Sequence, residues 1–136
     1  MKTYYLIILP LAFLLYNIPV FAQDDQLDKT KIEINSADSI EYDLLVFDPK
    51  FDTYLATVPY SKEFYSNEYY RSWNILYCAE WNSRHQNIAR YGDFYETHID
   101  YDQSIDYGID FNFKLYQYFQ FIEKEYGIVL INRGRN

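Results

Sequence analysis

The stretch Ser66–Arg84 constrains this chain most, because it holds both tryptophans and the one cysteine and reads as a single amphipathic helix. Stepping by the helical period gathers Tyr69, Trp73, Leu76, Tyr77 and Trp81 on one face. Ser66 is a suitable N-cap, and Glu68 suits the positive end of the helix dipole. Glu80 and Arg84 fall inside the same stripe with the spacing of a stabilising helix pair. A charged pair within an aromatic face is the oddest local feature of the chain.

A second helix is predicted from about 109 to 126, with Phe111, Leu115, Tyr118, Phe119, Ile122 and Tyr126 as its stripe. Gln117, Gln120, Lys124 and Glu125 fall outside or at the edge of that arc, and Gly127 stands where a left-handed cap belongs. Ile40–Phe47 reads as a strand, its run Leu44-Leu45-Val46-Phe47 suggesting cover on both faces, and Asp48-Pro49 ends it. Phe51–Thr57 fits a helical turn or a second strand. Lys31–Ile34 and Ile128–Ile131 read as short strands, and Tyr95, Thr97 and Ile99 alternate with polar residues as an extended segment does. The expected fold is α+β: a small sheet packed on one side by two aromatic-faced helices, at about 66–86 and 109–126.

Residues 1–22 have the pattern of an export signal: Lys2, an apolar run over Tyr4–Val20, and small residues at the end of Val20-Phe21-Ala22. Cleavage after Ala22 is expected, leaving a flexible leader over 23–39, a single domain over 40–136 and no stable membrane span. With 17 tyrosines and 10 phenylalanines, a chain this short can still build a large core. The net charge of −8 lacks the basic footprint that nucleic-acid binding requires. Cys78, being single, cannot form an internal disulfide and is expected to be a buried structural thiol. Arg133 and Arg135 are expected in a solvated tail.

Candidate chemistry is sparse. Glu80, set among Trp73, Tyr77 and Trp81, is a candidate acid or base, with Arg84 beside it; the alternative is a structural pair that reaches solvent at the rim of the stripe. The same three aromatics are candidates for stacking on a ligand, or for the core. Asp100, Asp102, Asp106 and Asp110 suggest a cation loop. Ile105 and Phe111, however, occupy the glycine and glutamate positions of an EF-hand, so a non-EF calcium site stands against a solvated turn. His85 and His98 share no metal-binding spacing, and no glycine-flanked serine elbow or phosphate loop is present.

Val46-Phe47-Asp48-Pro49, Phe64-Tyr65-Ser66, Glu80-Trp81-Asn82, Ile99-Asp-Tyr-Asp, Ile105-Asp-Tyr-Gly and Leu115-Tyr-Gln-Tyr-Phe follow one another in this chain. As a set they resemble a family of short exported or lipid-anchored bacterial proteins catalogued as a domain of unknown function. Some members carry a lipid-attachment cysteine that this chain lacks, so anchoring is not implied. The resemblance brings no activity, ligand or cofactor with it. The expectation is therefore an exported periplasmic or secreted protein without cofactors. Its role is binding or structural, its partner an envelope component, glycan or protein. The alternatives are a small hydrolase or lyase on cell-wall or polysaccharide material using Glu80, and a carbohydrate-binding module.

Overall fold

A computed structural model describes residues 32–36 and 42–134. Residues 1–22, expected to be an export signal, most of the expected leader and Arg135 lie outside them. Strands β1 (Ile32–Ser36) and β2 (Tyr42–Val46) pair antiparallel, with Ile32 opposite Val46 and Ile34 opposite Leu44. The pairing carries ordered structure into the segment expected to be a flexible leader. Leu44 is wholly buried while Leu45 and Phe47 are 38% and 36% exposed, so the ribbon is covered on one face rather than both. A lone two-stranded ribbon is marginal, and this one leans on the last helix.

Asp48 does more than end the strand. Its Oδ1 accepts from the Lys50 amide at 2.9 Å and caps helix α1 (Pro49–Ala56), with Pro49 pre-set at the first turn. That settles the 51–57 ambiguity as helix. Ser66 caps α2 (Asn67–His85) as expected, its Oγ accepting from Tyr69 N–H at 3.1 Å. A single turn, α3 (Ile88–Tyr91), leads toward the irregular segment 92–107. α4 (Gly108–Tyr126) ends at Gly127, whose φ of 67° is the left-handed conformation that glycine adopts without strain. Among the described residues, no helix is long and apolar enough to cross a membrane.

The organising element is α4 rather than α2. It packs against α2, β2 and α1, and Phe111, Asn112, Leu115, Tyr116, Gln117, Tyr118, Phe119, Phe121 and Ile122 are all buried. A helix with neighbours on several sides must bury more than one stripe. The buried face of α2 is also rotated from the expected one. It comprises Tyr70, Asn74, Tyr77, Cys78 and Trp81, while Leu76 is 52% exposed. Asn74 can enter the core because its Nδ2 donates to the Asn112 carbonyl at 2.9 Å, a partner that hydropathy does not count. Cys78 is a free, buried thiol whose pKa burial pushes up, which fits a structural role.

The segments 94–107 and 128–131 are not strands. Side chains of α2 satisfy the first instead. His85 Nδ1 bonds the Tyr95 carbonyl at 2.6 Å and Trp81 Nε1 donates to the Thr97 carbonyl at 2.8 Å. The Asn82 amide both donates to and accepts from the Ile99 backbone, each at 2.8 Å. Alternate carbonyls thus face the helix, as in an extended chain, without a second strand beside them.

Burial of so many phenols has a pH consequence. Desolvation pushes Tyr54 and Tyr101 up to about 12 from an ordinary 10.0, and raises Tyr126 as well. A phenol whose folded pKa lies above its unfolded one favours folding below the unfolded value and stops doing so as pH rises through the folded value. The urea midpoint is therefore expected to fall steadily from about pH 10 to about pH 12, with phenolate absorbance appearing late in the native protein. A midpoint that stayed level across that window would contradict the assignment.

Candidate functional site

Glu80 and Arg84 do meet: Arg84 Nε donates to Glu80 Oε1 at 2.7 Å. The arginine continues past the pair. One terminal nitrogen donates to the Tyr95 hydroxyl at 2.8 Å; the other reaches the Val129 and Leu130 carbonyls at 3.1 and 3.3 Å. Its guanidinium also lies over the Tyr91 ring at 5.2 Å. Arg84 thus ties α2 to the segments before and after α4, and Glu80, 36% exposed at its side chain, completes its coordination from the rim. Asp106 Oδ1 accepts from the Gly108 amide at 3.1 Å, and the His98 ring stands 6.1 Å from that of His85.

The expected stacking aromatics are divided by burial. Trp81 is wholly buried and Tyr77 is 2% exposed, which withdraws both faces from any ligand. Trp73 is half-buried, and Arg133 lies over its ring at 4.1 Å. Arg133 also donates to the hydroxyls of Tyr116, at 2.9 Å, and Tyr77, so this part of the tail is docked rather than solvated. In the acidic loop, Asp102 Oδ1 accepts from the amide and hydroxyl of Ser104, while Asp110 pairs with Lys62. Among the described residues, no group of three or more His, Cys, Asp or Glu side chains is placed to hold a metal ion.

A concave site lies elsewhere, along the seam of α1 and α4. A trough of about 490 Å³ is lined by residues that include Lys50, Thr53, Tyr54, Phe121 and Lys124. A second depression, of about 400 Å³, adjoins it through Tyr54 and Lys124 and adds Tyr60, Gln120 and Glu123. Beneath them Gln117 is 1% exposed. The Tyr54 hydroxyl donates to Gln117 Oε1 at 3.2 Å, and Gln117 Nε2 donates to the Tyr60 hydroxyl at 3.0 Å. One buried amide therefore fixes both tyrosines that line the second depression. Lys50 is paired with Glu125 at the mouth, and the Lys124 ammonium sits 5.4 Å from the Tyr54 ring centre. The Tyr60 ring lies 5.0 Å from that of Phe64, which is 62% exposed, and Phe64 leads to the stacked pair Tyr65 and Tyr69, 4.1 Å apart.

Sequence reasoning missed this site because Gln117 scores as a solvent-facing residue. A signal was present, however. Gln117 stands in Leu115-Tyr-Gln-Tyr-Phe-Gln-Phe, where aromatic residues on every side of the helix leave little room for a solvated face.

A family model described as "Family of unknown function (DUF6146)" matches residues 5–135. No curated protein and no solved structure matches the chain.

Proposed function

We propose, for a chain that belongs to the DUF6146 family of unknown function, an exported, non-enzymatic protein that binds its ligand in the α1/α4 trough and the depression that adjoins it. The observation that carries this reading is the Gln117 clamp: a fully buried amide spent on holding two tyrosines at the floor of a surface depression. Pre-fixing side chains in this way lowers the entropy cost of binding. It also places a few convergent polar atoms among aromatic walls, the usual make-up of a small-molecule site. Export rests on the pattern of residues 1–22. The catalytic alternative loses ground because Glu80 is committed to Arg84, and Arg84 to the backbone of the tail.

The test is binding without turnover. Peptidoglycan fragments, glycans and short peptides are screened by thermal shift and by product analysis. Stabilisation by one class is expected, with the ligand recovered unchanged and with Glu80→Gln binding as tightly as the parent. Cleavage of any of these substrates that disappears in Glu80→Gln would sink the proposal in favour of the hydrolase.

A further inference from the structure

We infer that the trough and the depression beside it recognise a saccharide, with Tyr54 and Tyr60 reading adjacent hydroxyl groups of one sugar ring and Phe64 supporting the next. This inference rests on the trough being the binding site, and adds its chemical class.

The argument starts from the valences of the clamp. A phenol has one proton and two lone pairs. The Tyr54 hydroxyl uses its proton on Gln117 Oε1 and keeps a lone pair; the Tyr60 hydroxyl accepts from Gln117 Nε2 and keeps its proton. Turning the amide over exchanges the two roles but preserves the outcome, which is one donor and one acceptor side by side. Such a pair complements groups that both donate and accept, as neighbouring sugar hydroxyls do. A carboxylate or phosphate would satisfy the donor alone and face the other phenol's lone pair. A phenol at its ordinary pKa is already neutral at pH 7, and desolvation only moves Tyr54 further up, to about 12, so the donor–acceptor pattern is present at neutral pH.

The surroundings agree. Lys50 is paired with Glu125 and the depression holds Glu123 opposite in charge to Lys124, so the lining carries at most one net positive charge, and the chain as a whole carries a net charge of −8. Gln120 Nε2 donates to the Tyr77 hydroxyl at 3.1 Å, which leaves its Oε1 as a further acceptor at the lining. The Tyr60–Phe64 contact carries the wall onto an exposed aromatic ring, suited to the apolar face of a following sugar.

The experiment titrates the full protein with triacetylchitotriose and cellotriose, using a tripeptide and inorganic phosphate as the other probes, and follows the Gln117 side-chain amide by NMR. A saturable shift with a trisaccharide is expected, and Tyr60→Phe should weaken it about tenfold, the worth of one good hydrogen bond. Because Tyr60→Phe leaves the Gln117 amide short of a partner, Lys124→Trp is the second variant. It fills the trough from an exposed position and should abolish binding with the fold intact. If the tripeptide or phosphate moves Gln117 and neither sugar does, the saccharide class is overturned while the trough remains a binding site. If a sugar binds and both variants bind it unchanged, the placement is overturned. If no ligand from this set or the wider screen moves Gln117, the reading of the trough falls as well.

Discussion

Trp81→Ala is expected to cost about 3–5 kcal/mol, the range for emptying a buried large aromatic site. Trp81 is 0% exposed and packs between α2 and two other parts of the chain. Its ring centre is 4.9 Å from that of Tyr95 and 5.8 Å from that of Tyr118 of α4. Its Nε1–H also supplies the bond to the Thr97 carbonyl. A domain of this size is stable by only about 5–15 kcal/mol, so the loss is a large share of the whole. Trp81→Phe separates the two contributions. It keeps much of the volume but leaves the Thr97 carbonyl short of a donor, for about 1–3 kcal/mol. Urea denaturation measures both costs. Hydrogen exchange adds the local readout: the Ile99 amide, held by Asn82 Oδ1 one residue along α2, should exchange faster in both variants. A cost below about 1 kcal/mol for Trp81→Ala would mean that this packing contributes little to the fold.

That dependence on one indole also explains how much of the fold could be read in advance. The two helices, their caps at Ser66 and Gly127, and the β2 strand follow from local rules, and the structure keeps them. The rotation of α2 does not follow from those rules. Asn74 is buried by a bond to a carbonyl far away in sequence, and period analysis assigns it to water. The alternation at Tyr95, Thr97 and Ile99 correctly signals an extended backbone, but alternation cannot say what the backbone will pair with. Here the partners are Trp81, Asn82 and His85 rather than a strand. The candidate site divides in the same way. Glu80 and Arg84 were legible from helical spacing alone. Gln117 was not, because its role arises only once α1 brings Tyr54, and the following turn brings Tyr60, onto one side of α4.

Arg84→Ala is the second substitution with a large expected effect, about 2–4 kcal/mol, and its asymmetry with Glu80 decides what the pair is for. Removing the guanidinium strips four acceptors at once: Glu80 Oε1, the Tyr95 hydroxyl and the Val129 and Leu130 carbonyls. The arginine side chain is 15% exposed, so water replaces those bonds poorly. Glu80→Gln keeps an oxygen for Arg84 Nε at the more exposed end, and is expected to cost less than about 1 kcal/mol. Arg84→Lys should recover little, because a single ammonium on a flexible stem cannot span acceptors on three segments. The local signature is in the tail: residues 127–134 should become open to limited proteolysis in Arg84→Ala and Arg84→Lys but stay protected in Glu80→Gln. If Glu80→Gln cost as much as Arg84→Ala, the carboxylate would be an equal partner in the fold and the arginine no clamp. If the costs fall as expected, the charged pair inside the aromatic helix is explained by the arginine's other bonds. The carboxylate is then the accessory of a cation that fastens the C-terminal segment, and it needs no reaction to account for its place.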